Sequence, residues 1–324
     1  MDLVTIDDIR AAADRIHGTA VRTPLMPCPW AGTDRPLWIK PESLQPTGAF
    51  KIRGAHNAIA RLSEQVRRRG VVAYSSGNHA QALAYAARQA GVPAHIVMPD
   101  VTPAVKIDNT RAFGAEVVLV PIAERESAAH ALADELGATL VPPFDHPDII
   151  AGQGTAGLEI VADLPEVDVV LVPVSGGGLA SGVGTAVKAL RPGATVIGVE
   201  PALAADTQES LAAGQRVDWS IERRVRTIAD GLRSQPSELT FAHLRGVLDG
   251  VIAVSEDEIR DAMRVLATRA RLVAEPSGAV PVAAYLHHAD AFPAGRTVAL
   301  VSGGNVDPAL LAGVLGERES AGSQ

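Results

Sequence analysis

The chain has 324 residues, with 29 basic against 37 acidic side chains, a formal net charge of −8, and 47% apolar and 20% charged residues. This is the profile of a globular protein of one or two closely packed domains, and it excludes disordered, collagen-like and fibrous classes. The acidic balance argues against a nucleic-acid partner, which needs a positive field to displace counterions.

Residues 1–10 alternate acidic and apolar side chains and lack the basic start and apolar block of an export signal, so a cytoplasmic location is expected. Cys28 is the only cysteine; it cannot form an intrachain disulfide or a thiolate metal cage, and between Pro27 and Pro29 it reads as inert. Short β-branched runs at 37–40, 71–74, 94–98, 116–120, 169–174, 195–200 and 297–301 predict strands, with helical patterns between most of them. That alternation predicts an α/β class in which crossover helices join parallel strands. Residues 169–187 are uncharged over nearly the length of a membrane span, but Pro173, Gly176, Gly177, Gly178, Gly182 and Gly184 interrupt them, and no membrane partner is expected. Ser255 and Glu258 form a capping box opening an amphipathic helix that runs toward Leu272. Residues 320–324 read as a frayed tail.

In open parallel sheets, ligands bind beyond the carboxyl ends of the strands. Polar clusters follow the predicted strands at Ser75-Ser76-Gly77-Asn78-His79, Ser175-Gly176-Gly177-Gly178-Leu179 and Ser302-Gly303-Gly304-Asn305. The triple glycine is either a phosphate cradle at a helix N-terminus or a tight turn. Gly176, Gly178 and Gly182 also approximate a dinucleotide fingerprint, with Glu200 where a ribose-binding acid would stand. That reading, a nicotinamide oxidoreductase, leaves the Ser75 and Ser302 clusters without a task.

Lysine is scarce: Lys40, Lys51, Lys106 and Lys188 stand against 25 arginines. Where arginine supplies most of the positive charge, a retained lysine is a candidate amine. Lys106 and Lys188 read as solvated. Lys51 opens a helical run whose amide dipoles disfavour its ammonium form, and it is either a Schiff-base amine or a structural lysine. Arg53 reads as a structural ion-pair partner, Arg67-Arg68-Arg69 as a helix C-terminal run facing water, and His287-His288 as a solvated pair.

From about Lys40 to Asn305 the chain resembles the fold type II pyridoxal phosphate (PLP) enzymes, in the branch of threonine and serine dehydratases and serine racemase. The segment from Lys40 through Gln45-Pro46-Thr47-Gly48-Ala49-Phe50-Lys51 to Ala55 resembles the cofactor-lysine segment. Ser75 to His79 resembles the substrate-carboxylate loop, Ser175 to Leu179 the phosphate loop, Glu275-Pro276-Ser277-Gly278 the acidic turn facing the cofactor, and Ser302 to Asn305 the pyridine-nitrogen loop. The resemblance implies a tryptophan synthase beta-like α/β fold: two open, mostly parallel twisted sheets with flanking helices. Residues 1–67 and 146–324 would form a large cofactor-binding domain, with a small domain, 68–145, inserted in it. A homodimer is implied as well.

By the same resemblance, Lys51 is the Schiff-base lysine and Cα base, and Phe50, Asn78, Gly176, Gly177, Gly178, Leu179, Glu275 and Ser302 surround PLP. Asn78 would meet its 3-hydroxyl, the amides of Gly176 to Leu179 its phosphate, and Ser302 its ring nitrogen. Ser75, Ser76, Gly77, Asn78 and His79 would grip the carboxylate of an amino-acid substrate. A neutral hydroxyl at Ser302 does not keep the pyridine protonated, which disfavours a long-lived carbanion and favours expulsion of a β-hydroxyl.

Ser76 stands where racemases have a serine working on the face opposite the lysine, whereas Pro142 to Pro147, before Ile150 to Gly154, is closer to the threonine dehydratases. Dehydration of L-threonine, L-serine or a close β-hydroxy amino acid to a 2-oxo acid and ammonia is therefore expected. Serine racemase and 3-hydroxyaspartate dehydratase are the alternatives, and a non-catalytic PLP-binding protein a more distant one. Only 19 residues follow Asn305, so an added regulatory domain is not expected. Glu200, Ala204 and Asp206 resemble a metal loop of the racemase side, with hard oxygen ligands suited to Mg²⁺ or Ca²⁺, or else form a solvated acidic turn.

Overall fold

A computed structural model of the chain describes residues 2–316; the tail at 320–324 lies outside the described residues. The strands in chain order are β1 (Met26–Cys28), β2 (Leu37–Pro41), β3 (Val71–Tyr74), β4 (Ala94–Pro99), β5 (Glu116–Val120), β6 (Thr139–Leu140), β7 (Val169–Pro173), β8 (Thr195–Pro201), β9 (Gly250–Val254) and β10 (Thr297–Val301). They form a six-stranded sheet in the order β1-β2-β10-β7-β8-β9 and a four-stranded sheet in the order β5-β4-β3-β6. Every pairing is parallel except β1 with β2. The expected α/β class with two mostly parallel sheets and flanking helices is therefore present, and each predicted strand is found to within a residue at its ends.

Burial explains why those strands were readable. Every residue of β7 and β10 is buried, as in a parallel sheet covered on both faces, so their sequences are nearly continuous apolar runs. One core packs Leu171, Val199, Ile252 and Val301 of the larger sheet beneath Ile259 and Met263 of the helix Glu256–Val265 and Val280 and Ala283 of the helix Pro276–His287. A second packs Ile52, Ala55 and Ile59 of the helix Lys51–Arg61 and Leu83 of the helix Asn78–Ala90 against Val71, Ala73 and Ile96 of the smaller sheet. The Lys51 helix thus lies on the smaller sheet, while the segment leading into it follows β2 of the larger one.

Gly182 has a packing task. A Cβ there would strike the Ile150 carbonyl, and one at Gly154 would meet the Gly182 carbonyl at 2.9 Å, so the helices Pro147–Asp163 and Gly178–Leu190 touch backbone to backbone. The capping box at Ser255 and Glu258 is present. The helix does not, however, continue in α geometry to Leu272. It passes into a π-turn, Leu266–Ala270, and Arg271 takes a left-handed conformation (φ 59°), so that Leu272 N–H bonds back to Leu266 C=O and the chain turns toward Glu275.

Several side chains expected in water have partners. Lys106 pairs with Asp230 at 3.2 Å, and Lys188 with Asp249 at 2.6 Å. His287 and His288 both reach one neighbouring helix, at Asp261 (3.0 Å) and Glu258 (3.1 Å), one turn apart. Of the arginine run, Arg67 is half-buried and donates to the Ala60 carbonyl at 2.5 Å, while Arg68 pairs with Glu64 on the surface.

Candidate active site

The segment carrying Lys51 is laid against the Ser302 loop by backbone hydrogen bonds. Phe50 N–H donates to Ser302 C=O at 3.0 Å, Gly304 N–H to Gly48 C=O at 2.8 Å, and Ala49 bridges Gly303. Lys51 is the first residue of its helix, and its Nζ donates to the Pro143 carbonyl at 2.6 Å, beside the Phe50 ring. Burial among protein atoms pushes the Lys51 amine down to about 8. Loss of hydration around the buried ammonium is the cause.

Asn78 and Glu275 close the next side. Asn78 Nδ2 donates to Glu275 Oε1 at 2.7 Å, while Asn305 Nδ2 donates both to Asn78 Oδ1 and to the Thr47 carbonyl, each at 2.8 Å. Glu275 N–H bonds Gly303 C=O, and a Cβ on Gly303 would land on the Glu275 carboxyl. Burial pushes Glu275 up to about 8, reinforced by the negative charge of Asp230, so it holds a proton at neutral pH. Among the described residues the hydroxyls of Ser302 and Ser76 have no hydrogen-bond partner.

Helix N-termini supply donors on two sides. In Gly178–Leu190 the first helical bond runs from Ser181 N–H to Gly177 C=O at 2.8 Å, so the N–H groups of Gly178, Leu179 and Ala180 have no acceptor within the helix. Gly177 makes the turn at φ +88°, in the left-handed region that favours glycine, and a Cβ on Gly176 or Gly178 would run into Phe144. Phe144 follows Pro143, the acceptor of the Lys51 amine, so a single dipeptide touches both the lysine and the glycine turn. In Asn78–Ala90 the first bond runs from Ala80 N–H to Gly77 C=O, which leaves the N–H groups of Asn78 and His79 free, and Gly77 N–H bonds Ser75 Oγ at 3.3 Å. The His79 ring is turned inward. Its Nε2 lies 2.9 Å from the Val141 carbonyl and so must carry the proton, and burial, with the Lys51 charge adding, pushes it down to about 3. His79 is thus a neutral donor joining this loop to the stretch that leads to Pro143.

Glu200, Ala204 and Asp206 lie apart, at the end of β8. Glu200 is fully buried and accepts from the N–H groups of Thr207 (3.2 Å) and Gln208 (2.9 Å) at the start of the helix Asp206–Ala213. It is therefore not free to hold a ribose, and Gly182 packs helices, so the dinucleotide reading loses both supports. Burial, followed by the charge of Asp206, pushes Glu200 up to about 8, and burial pushes Asp206 up to about 7. Asp206 Oδ2 is buried with no partner among the described residues. No cluster of three or more His, Cys, Asp or Glu side chains among the described residues is arranged to hold a metal. Cys28 is buried, which pushes its thiol up to about 12 and keeps it unreactive.

Sequence reasoning missed the surroundings of Arg53. This residue is indeed an ion-pair partner, but in a largely enclosed network with Glu42, Glu159 and Lys40. The scarcity of lysine singled out Lys40 without giving it a partner. Pro143 and the His79 ring offered no signal, since a carbonyl acceptor or an inward rotamer leaves none in sequence.

Among the described residues, a buried amine poised near neutrality, two helix N-termini with N–H donors unused within their helices and a serine hydroxyl without a partner are groups of the kind that a phosphorylated pyridine aldehyde needs, and on the two-sheet fold they point to the class of PLP enzymes. The family described as pyridoxal-phosphate dependent enzyme matches residues 16–303, and the chain belongs to it. L-threonine ammonia-lyase of Thermotoga maritima is 45% identical, the match covering 94% of this chain and 76% of that protein. L-threo-3-hydroxyaspartate ammonia-lyase of Saccharomyces cerevisiae is 38% identical, covering 98% of each. Among solved structures, maize serine racemase superposes with a TM-score of 0.92 at 39% identity, covering 96% of this chain and 97% of that one. Among the described residues no helix is long and apolar enough to cross a membrane.

Proposed function

We propose that the chain is a PLP-dependent ammonia-lyase that converts L-threonine, L-serine or a close β-hydroxy amino acid such as 3-hydroxyaspartate to a 2-oxo acid and ammonia. When bound, PLP links through its aldehyde to an amine and draws off the electron pair left at Cα as a proton departs, which eases loss of a β-hydroxyl. The observation that carries the reading is Lys51, an amine held near neutrality and joined through Pro143 and Phe144 to the glycine turn.

In this reading the N–H groups at Gly176, Gly177, Gly178 and Leu179 bind the phosphate, where the helix dipole adds attraction. The Ser302 hydroxyl meets the ring nitrogen, and Asn78, held by Glu275 and Asn305, orients the ring's 3-hydroxyl. The backbone from Ser75 to His79 binds the substrate carboxylate. Lys51 moves the Cα proton on one face. A second reading, racemisation, draws on Ser76, whose hydroxyl has no partner among the described residues and would move a proton on the opposite face.

The same proposal includes Mg²⁺ or Ca²⁺ at Glu200, Asp206 and the Ala204 carbonyl, supported by the unpartnered Asp206 oxygen. It also includes a homodimer in the cytoplasm and residues 68–145 as an inserted body, whose strands β3 to β6 make one sheet. The test is a panel of L-threonine, L-serine and L-threo-3-hydroxyaspartate scored for oxo acid and for the D-enantiomer. Oxo acid and ammonia from at least one is the expected result; none from any, in protein loaded with PLP, would reject the lyase.

A further inference from the structure

The segment that bears Lys51 is held at both ends by one guanidinium. Arg53, two residues beyond Lys51, is fully buried, and its Nε and Nη2 donate to the two oxygens of Glu42 at 2.7 and 2.8 Å. On its other side Nη1 and Nη2 donate to the two oxygens of Glu159 at 2.7 and 2.8 Å, and Nη1 also to Thr155 Oγ1 at 3.0 Å. Lys40 Nζ completes the group, donating to Glu159 at 2.5 Å and to the Thr23 carbonyl at 2.7 Å. Glu42 accepts further from Thr23 Oγ1 and Gln45 Nε2, at 2.7 and 3.0 Å. The side chains of Lys40, Glu42 and Arg53 are wholly enclosed and that of Glu159 nearly so.

Two cations against two anions leave the cluster formally neutral, yet taking four charges out of water is costly. Apolar residues of equal volume often serve stability as well or better. What apolar packing lacks is direction. A planar guanidinium that forks two carboxylates is satisfied in one orientation only. Glu42 precedes the turn that carries Gly48, Ala49 and Phe50, and Arg53 sits in the first turn of the helix that Lys51 opens. The Glu42 to Arg53 bond therefore closes this stretch into a ring, and Glu159 anchors the ring to the helix Pro147–Asp163, which follows the Pro143–Phe144 pair. The lysine and its acceptor are thereby referred to one frame.

We propose that Arg53, forked between Glu42 and Glu159, is a positioning residue that aims the Lys51 amine at the aldehyde carbon of PLP. The inference rests on the reading of Lys51 as the PLP-linking amine. In the step concerned, the amine nitrogen and the aldehyde carbon join as C=N, and the aldehyde oxygen leaves as water with the two amine protons. No oxidant or reductant is needed.

The test uses the full chain freed of cofactor. The rate at which added PLP develops the visible band of the lysine-bound form is compared with the affinity for pyridoxamine 5′-phosphate, which has the ring and phosphate but no aldehyde. Arg53→Lys keeps the charge and loses the fork; it should slow band formation about tenfold or more, as displacement of a reacting group does, and leave the pyridoxamine phosphate affinity unchanged. A wild-type rate, or equal losses in both measurements, overturns the positioning role. If Arg53→Lys does not fold, Glu42→Asp, which withdraws the carboxylate by one methylene, is read in the same way. Hydrogen exchange of the wild-type chain is independent of any variant: the hydrogen-bonded amides of Gln45, Gly48, Phe50 and Arg53 should exchange only with global unfolding, and local opening there overturns the clamp. A wild-type chain that gives no visible band, or a Lys51→Ala variant that keeps it, instead rejects the PLP reading on which the inference rests.

Discussion

Lys51 Nζ donates to the Pro143 carbonyl at 2.6 Å, and the following residue, Phe144, places its ring against Gly176 and its Cβ and backbone against Gly178. The lysine and the glycine turn come from different sheets' flanking segments, and this dipeptide is where they meet.

Because burial brings the Lys51 amine to about 8, its reaction with PLP should accelerate as pH rises toward 8 and level off above, following the neutral fraction. Stopped-flow absorbance on cofactor-free protein measures this. In Lys51→Ala the visible band should be absent and turnover should fall by about a hundredfold or more.

Gly176→Ala places a methyl where the Phe144 ring now lies. The ring must shift, and overpacking of this kind costs about 1–3 kcal/mol. PLP affinity, followed by fluorescence quenching, should weaken about tenfold. A variant binding as tightly as wild type would show that the turn does not bear on the phosphate.

Ser76→Ala should lower D-serine formation from L-serine by about a hundredfold while sparing 2-oxo acid formation. Chiral chromatography alongside an oxo-acid assay reads both. Loss of both in equal measure would mean that the hydroxyl supports the loop and does not act on one face.

Glu275 titrates near 8 in the folded chain against an ordinary value of 4.5. The folded state therefore binds more protons than the unfolded state between these values, and stability falls with rising pH across the interval. It is fully retained below about 4.5 and levels off above about 8. In cofactor-free protein, Glu275→Gln should remove this slope, of order 1.4 kcal/mol per pH unit. Denaturant melts of both proteins at several pH values give the difference, and parallel pH profiles would contradict it.

Millimolar Mg²⁺ or Ca²⁺ should raise the melting temperature, and a chelator should reverse the gain. At about a hundred times Kd the stabilisation is about 2.7 kcal/mol. Asp206→Asn should abolish the response. An unchanged wild-type melt would leave Glu200 with helix capping alone.

The parts of this protein visible in its sequence are those written locally. Strands buried on both faces spell continuous β-branched runs, and the glycine and serine turns that follow them keep their polar residues together, so the roster of the candidate site could be proposed in order. β1 carries Pro27 on an edge and β6 has only two residues, and neither rises above its surroundings. β9 is an edge strand with partly exposed positions, which weakened its signal. Partnerships were not legible: Asn78 and Glu275 are 197 positions apart, Lys106 and Asp230 are 124 apart, and a charged residue without a visible partner reads as solvated. The π-turn after Val265 and the left-handed Arg271 were hidden for a different reason, since neither uses the glycine that normally marks such a reversal.

At Gly154 and Gly182 two helices meet with no side chain between them. Bare backbones in contact have no bristles to slide over, so the amide crown that begins one helix and the Phe144 ring just ahead of the other are tied through a close joint. If the turn at Gly176 to Leu179 holds the phosphate as proposed, that seat should keep its aim whether filled or vacant.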